Sequence, residues 1–241
     1  MRILAIETSA EQCSVALTHT TGVAQHRWAA AGRVSENALA LVAQLLAEQS
    51  IDLGQVNAFA FGSGPGAFTG LRVACALVQG LAFGADRPVI AIGSLRALAH
   101  GAARSLLRAS EDPASPVRVL AATDARMGQI YWAVYEGQVA ERTLAEPALA
   151  VRDEMADHFA RWRPNIVVGD ALRMFEPAWP ARFQASRMPH LVADASMVAE
   201  LARIELAAGR TIAPRDAAPE YVRNRVALTV AQRAPAGGTV R

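Results

Sequence analysis

One stretch of this sequence repeats in outline half a chain away. Arg2-Ile-Leu-Ala-Ile-Glu7 is a short apolar run closed by an acid; after a polar bend over 8–12, a second run from Cys13 to Thr18 places Val15 and Leu17 on one face. Val117, Val119 and Leu120 likewise lead to Asp124, and beyond Ala125-Arg126-Met127-Gly128 another run covers 129–135. Setting Glu7 on Asp124, 117 residues further on, also sets Cys13 on Ile130, Val15 on Trp132 and Leu17 on Val134, so the inward positions of the two hairpins coincide. Period-two alternation is common to all hairpins. A separation close to half of a 241-residue chain is what an internal duplication produces. The chain is thereby restricted to folds built twice from a strand-turn-strand unit with an acid where its first strand ends.

The rest of the first half reads without conflict. A third run over 23–28 follows Thr20-Thr21-Gly22 and makes a three-stranded meander. Ser35 is placed as the N-cap of a helix to Glu48, with Leu39, Val42 and Leu46 on one stripe and Leu41 and Leu45 beside it. A strand over 56–61, a glycine-rich turn from Gly62 to Gly70, a helix over 71–83, a strand over 89–92 and a helix from Ser94 complete the order β-β-β-α-β-α-β-α. Past Tyr135 the copy weakens into a region rich in Pro and Arg, with one strand over 165–169 and one helix over 195–208 stopped by Gly209. The expected organisation is α/β: a first lobe over 1–108, a smaller second lobe over 109–226 and a flexible tail over 227–241.

Composition removes several function classes. Half of the residues are apolar (52%) and 19% are charged, which supports a packed core rather than disorder. All 24 basic residues are Arg, so Schiff-base lysines, Walker-type phosphate lysines and Ser-Lys dyads are excluded. The net charge is +2 and the arginines form no run, which argues against autonomous RNA binding. Two cysteines, Cys13 and Cys75, make neither a metal cluster nor a disulfide framework, and no charged segment precedes an apolar one at the start. A reduced, cytoplasmic protein is expected. No membrane association is expected either, since the apolar run over 73–78 is far short of the ~18 residues a span needs.

Candidate chemistry is sparse. Gly62-Ser-Gly-Pro-Gly-Ala67 formally fits G-x-G-x-x-A, but the ribose-binding acid is missing at the end of the next strand and Pro65 removes an N–H from the cradle. A tight turn that brings the next helix close to the sheet is the better reading. The five histidines lack metal-ligand spacing and no G-x-S-x-G occurs. Glu7 and Asp124 are candidates for paired carboxylates across a cleft, or for acids that cap their own turns. The helix over 71–83 is apolar nearly all round, with Ala74, Cys75, Ala76 and Gly80 offering a small-residue face. A helix of that kind must be covered on every side: one side by its own sheet, and the other by the neighbouring helix over 35–48 or, the favoured reading, by a partner protein.

Together, Arg2-Ile-Leu-Ala-Ile-Glu-Thr-Ser9 with Cys13-Ser-Val-Ala-Leu17, Gly62-Ser-Gly-Pro-Gly-Ala-Phe-Thr-Gly-Leu-Arg72, Asp124-Ala-Arg-Met-Gly128 with Tyr131-Trp-Ala133, and Pro219-Glu-Tyr-Val-Arg-Asn224 resemble the bacterial TsaB (YeaZ) family of the threonylcarbamoyladenosine tRNA-modification pathway, over residues 2–226. The resemblance implies an actin/Hsp70-like (ribonuclease H-like) duplicated two-lobe fold with a reduced second lobe. It implies a non-catalytic paralogue of TsaD, the enzyme that threonylcarbamoylates N6 of adenine 37 in tRNAs reading codons that begin with A. Such a protein forms a heterodimer with TsaD, is joined by a TsaE-like ATPase, pairs with itself when alone and meets tRNA only indirectly. The docking surface implied lies on Leu39, Val42 and Leu46 of one helix and Leu71, Ala74, Cys75 and Val78 of the next. Glu7, Thr8, Ser9 and Asp124 would line a vestigial nucleotide cleft, with no metal and with ATP or ADP only in the assembled complex. Two departures stand out: Glu7 where many members have Asp, and Val34 where a His often precedes the first long helix. The catalytic relatives carry His-x-x-x-His where Ser94-Leu95-Arg96-Ala97-Leu98 stands here, with no histidine before His100. The competing class, a glycopeptidase-like metal- or nucleotide-dependent hydrolase of the same superfamily, predicts stoichiometric metal or ATP turnover in the isolated chain.

Overall fold

The structure is a computed structural model that describes residues 1–19, 22–30, 34–109, 116–175 and 185–223. The tail expected over 227–241 lies outside the described residues. Two five-stranded sheets carry the fold. In the first, β1 (Ile3–Glu7), β2 (Gln12–His19) and β3 (Gly22–Ala29) form an antiparallel meander, and β4 (Ala58–Gly64) and β5 (Val89–Gly93) add in parallel, giving the order β3-β2-β1-β4-β5. In the second, β6 (Arg118–Asp124), β7 (Gln129–Glu136), β8 (Arg142–Val151), β9 (Ile166–Val168) and β10 (Ser186–Met188) take the order β10-β9-β6-β7-β8. Each strand of the second sheet occupies the place of the strand five earlier, so the duplication extends through all ten strands of the described residues.

The helices repeat with the strands. α1 (Val34–Glu48) follows the first meander, α2 (Phe68–Ala85) the fourth strand and α3 (Ser94–Ala109) the fifth. In the second copy their counterparts are α4 (Met155–Trp162), a six-residue 3-10 turn (Asp170–Phe175) and α5 (Ala195–Ala207). The copy therefore does not dissolve past Tyr135, as its Pro and Arg content suggests; β8, α4 and β10 are all present. Each evades a sequence pattern for a physical reason. β8 contains Pro147 and pairs with β7 through register shifts that break alternation, α4 has only eight residues, and β10 has three.

Alternation along the strands sorts the two faces of each sheet. Leu4, Ile6, Phe59 and Phe61 point outward from the first sheet to α1 and α2. Leu120, Ala122, Trp132 and Val134 point outward from the second to Met155 and Phe159 of α4. The two inner faces mix alanine with larger side chains, Ala5, Ala16, Ala58 and Ala60 with Ile3, Ile90 and Ile92 on one, and Ala121 and Ala133 with Val119, Tyr131, Tyr135, Ile166 and Val168 on the other. Between them lie α3 and α5, themselves rich in alanine at Ala99, Ala102, Ala103, Ala195, Ala199 and Ala202, and one continuous core joins these three layers. The result is a five-layer stack: α1 and α2, sheet, α3 and α5, sheet, α4.

The helices of the central layer cross between the two sheets: α3 of the first half packs on β6, β7 and β9, while α5 of the second half packs on β1, β2 and β4. α5 is also fixed by polar contacts to the first sheet. Asp194 caps it by accepting from the Ser196 and Met197 N–H groups (2.9 and 3.1 Å), Arg27 of β3 donates to Asp194 Oδ2 at 2.6 Å, and the Ala195 N–H donates to Ser14 Oγ at 2.8 Å. Burial opposes the Asp194 charge, yet Ser196, Arg27 and Met197 outweigh it and hold the carboxyl below the usual range. After α5 the chain returns to the first lobe, where Ile212 bridges Val89 and Gln79 donates to the Pro214 and Ala217 carbonyls at 3.0 and 3.1 Å.

The central layer has no room for larger side chains. Ala102→Leu is expected to destabilise the isolated chain by about 1–3 kcal/mol through overpacking, whereas Ala47→Leu on the exposed side of α1 stays within about 0.5 kcal/mol. Urea titrations with an unchanged m-value check both.

Candidate functional site

An interlobe cleft of about 720 Å3 opens where the two copies of the strand-turn-strand unit meet. Its walls come from the β1–β2 turn (Ser9, Ala10, Glu11), the start of α2 (Ala67, Phe68, Arg72), Ser94, the β6–β7 turn (Asp124, Ala125, Arg126) and the closing segment 220–223. Glu7 lies behind this surface and is fully buried. The Ser9 N–H donates to its Oε1 at 2.7 Å and the Ser94 hydroxyl to its Oε2 at 3.0 Å. A Cβ at Gly62 would overlap the Glu7 carboxylate, and one at Gly70 would overlap the Thr8 carbonyl. Glycine is therefore needed at both positions for close approach, and the Thr8 hydroxyl completes the contact by donating to the Gly70 carbonyl at 2.7 Å. The glycine-rich segment acts as a tight packing joint between β1 and α2, with Gly64 at φ +119°.

The two acids of the duplicated unit do not face each other as a pair. Glu7 pairs with Ser14, whereas the residue that pairs with Tyr131, the counterpart of Ser14, is Thr123. The second turn is one residue longer, so Thr123 takes the inward position of Glu7 and Asp124 falls one step beyond. The equation of Glu7 with Asp124 is corrected accordingly: because side chains alternate along a strand, a one-residue slip exchanges the faces. Asp124 lines the cleft and caps its own turn, accepting from the Arg126 N–H at 2.7 Å. Glu7 does the same to Ser9, so both acids satisfy turn N–H groups two residues on. Across the cleft mouth Arg126 pairs with Glu11 at 3.0 Å, both well exposed. Arg223 reaches over to donate to the Ala125 carbonyl and to Gln129 Oε1, each at 2.8 Å.

Among the described residues, no three His, Cys, Asp or Glu side chains gather in a group able to hold an ion. The segment opening α3 is committed elsewhere: Ser94 to Glu7, Arg96 to Glu205 at 2.8 Å, and buried His100 to Glu200 of α5 at 2.9 Å.

The outer face of α1 and α2 differs from expectation in its residues. Val42, Leu46, Leu71, Ala74, Cys75 and Val78, six of the seven implied docking residues, are buried in this chain's own core against the first sheet, and only Leu39 is exposed (46%). α2 is apolar on both sides, so periodicity could not say which stripe meets the sheet. Leu71, Ala74, Cys75, Val78 and Ala82 do. The opposite stripe, bearing Phe68, Ala76, Gly80, Phe83 and Gly84, is exposed, with Val73, Leu77 and Leu81 half-buried at its margins. The signal that marks this outer stripe is Arg72, a charged residue that cannot lie against the sheet. By length and mean hydropathy (1.4 over 18 residues) α2 also meets the dimensions of a membrane span. Its inner stripe packs on β4 and β1, so it is a core helix with an apolar outer face.

The sequence matches the family described as TsaD, tRNA N6-adenosine threonylcarbamoyltransferase, over residues 27–208. It is 35% identical over 240 residues to the tRNA threonylcarbamoyladenosine biosynthesis protein TsaB of Escherichia coli (strain K12), covering 94% of this chain and 96% of the relative. The TsaB protein of Haemophilus influenzae (strain ATCC 51907 / DSM 11121 / KW20 / Rd) is 34% identical over 250 residues, with 94% and 95% covered. Among solved structures, YeaZ from Pseudomonas aeruginosa superposes with a TM-score of 0.76 at 36% identity, covering 91% of this chain and 99% of that one. A second crystal structure, of an uncharacterized protein with similarity to peptidase YEAZ from Pseudomonas aeruginosa, gives 0.78 at 35%, covering 92% and 99%. The fold is that of these proteins, an actin-like α/β architecture.

Burial raises the Glu7 pKa above its ordinary 4.5, opposed by the Ser9 and Ser94 hydrogen bonds. A raised folded pKa contributes stability that is complete below about pH 4.5 and is lost as pH rises through the folded value. Glu7→Gln, which keeps an acceptor for the Ser9 N–H, should remove this loss. Denaturation midpoints measured from pH 4 to 8 should show the variant gaining on wild type as pH increases.

Proposed function

The chain belongs to the TsaB family of tRNA threonylcarbamoyladenosine biosynthesis proteins, and from that membership we propose that it serves this modification as a non-catalytic scaffold subunit that docks on a TsaD-like transferase. The observation that carries the proposal is the exposed apolar stripe of α2 beside Leu39 of α1. Phe83 is 82% exposed and Phe68 46%, while a Cβ at Gly80 or Gly84 would meet nothing within 4 Å. Small residues at 76, 80 and 84 recur every four positions along the helix and let a partner helix approach closely. An apolar surface of this kind on an isolated chain marks a protein-protein contact.

Association is driven by burial of this stripe. A standard interface covers about 800 Å2 on each partner, and apolar area contributes roughly 25 cal/mol per Å2 before the entropy of association is subtracted. In the absence of the transferase the same face pairs with itself in a two-fold homodimer. A TsaE-like ATPase joins the assembled complex, where any ATP or ADP is handled, and tRNA is met through the transferase. The cleft supports the non-catalytic reading: Glu7 is buried and committed to Ser9 and Ser94, and Asp124 to its own turn.

The experiment uses two exposed positions. Ala76→Glu and Leu39→Asp should each abolish co-purification with the TsaD-like transferase while leaving the urea midpoint of the isolated chain nearly unchanged. Depletion of the protein should lower threonylcarbamoyladenosine in nucleosides from bulk tRNA, with recovery by wild type and not by Ala76→Glu. Undiminished complex formation in both variants, or unaltered nucleoside content, would overturn the proposal.

A further inference from the structure

A groove of about 400 Å3 runs along this outer face between the start of α1, at Ser35, and the first turns of α2, where Phe68, Thr69, Val73, Ala76 and Leu77 form its walls. Arg72 is the ionisable residue that lines it, at the edge the groove shares with the interlobe cleft. Its guanidinium is held in place by two aromatic rings. The carbon Cζ sits 3.9 Å from the Phe68 ring centroid and 6.0 Å from that of Tyr221, and Nε donates to the Tyr221 hydroxyl at 3.0 Å. Tyr221 is itself fixed, because the neighbouring Glu220 N–H donates to the Ser63 carbonyl at 2.8 Å and Arg223 is tied to the β6–β7 turn. With Nε engaged, the two terminal nitrogens keep four N–H donors in a planar fork, and among the described residues no carboxylate lies within ion-pairing distance of them.

We propose that Arg72 is a specificity-determining contact of this face: the groove receives a helix of the partner protein that brings one carboxylate side chain to the Arg72 guanidinium. This rests on the docking role of α1 and α2 proposed above. Charge complementarity argues for it. Covering the groove with a purely apolar helix would strip water from a cation and return nothing to its four N–H groups. A partner carrying Asp or Glu at that point satisfies the fork bidentately, and a partner lacking it is rejected. A second copy of this chain is a poorer match, since the groove's own walls offer no carboxylate. A nucleic-acid phosphate is poorer still, since Phe68, Val73, Ala76 and Leu77 give a backbone nothing polar to meet.

The test measures the dissociation constant of the full-length chain with the TsaD-like transferase at several salt concentrations. Arg72→Gln, which keeps a donor toward Tyr221, should weaken binding about tenfold, and Arg72→Glu about a hundredfold. Tyr221→Phe, which frees the guanidinium but retains the ring, should weaken it less, with a reduced salt dependence for the two Arg72 variants alone. Replacing the facing partner carboxylate by Arg should restore affinity to Arg72→Glu. Wild-type affinity for both Arg72 variants, with Ala76→Glu still failing to bind, overturns the Arg72 assignment and leaves the docking face intact. Wild-type affinity for Ala76→Glu as well removes the face itself. Loss in the Arg72 variants of tRNA retention alone, or of self-association alone, would overturn the proposal in favour of a phosphate or a second copy. If Arg72→Glu proves unfolded by circular dichroism, Arg72→Gln and Arg72→Lys decide, the latter expected to bind several-fold more weakly because a single ammonium cannot reproduce the fork.

Discussion

The whole arrangement depends on alanine at the middle of the stack. Ala5, Ala16, Ala58 and Ala60 on one sheet and Ala121 and Ala133 on the other, set among larger neighbours such as Ile3, Ile92, Val119 and Tyr131, let α3 and α5 lie between two sheets and touch both. With leucine or phenylalanine at those positions, as on the outward faces, the sheets would stand too far apart for one helix layer to bridge them at interior packing density. Because each half supplies a helix to this shared layer, the inner core is completed only by both halves, while the outer clusters rest almost wholly on one half each. The interlobe cleft is a consequence: it is the gap left at the edge of the central layer, where the two first turns converge.

Local electrostatics then settle what the cleft residues do. A carboxylate that ends a strand finds unsatisfied N–H groups in the turn that follows, and both Glu7 and Asp124 accept from the residue two places on. For Glu7 the Ser94 hydroxyl takes the second oxygen and Gly62 removes the last free space, so the group is a structural acceptor inside the joint between β1, β4 and α3. The same joint demands glycine at 70, beneath the Thr8 carbonyl. What resembles a phosphate-binding loop in the sequence is thus consumed by packing.

Much of this was legible from residue order. The strands of the first half, the order of its helices, the duplication and the apolar excess of α2 all follow from alternation and 3.6-residue periodicity, which need no knowledge of neighbours. The second half was read poorly because its elements are short or interrupted: Pro147 and a bulge in β8, eight residues in α4 and three in β10. For the candidate site, the apolar excess on the outside of α2 was legible, yet six of the seven residues assigned to docking are core. An all-apolar helix has no sequence signal for which stripe meets the sheet.

Periodicity and composition therefore specified what the chain contains: two copies of a strand-turn-strand unit, helices of known order and more apolar surface than one sheet face can cover. Packing assigned direction and partnership. The extra residue in the β6–β7 turn puts Thr123, not Asp124, in the place of Glu7; the sheet takes Ala74 and Cys75 and leaves Ala76 and Gly80 to the outside; and the returning segment sets Tyr221 against Arg72 across 149 residues of chain. These outcomes depend on contacts between residues far apart in the chain, and a pattern read along one dimension cannot encode which of two equivalent faces a distant segment will cover.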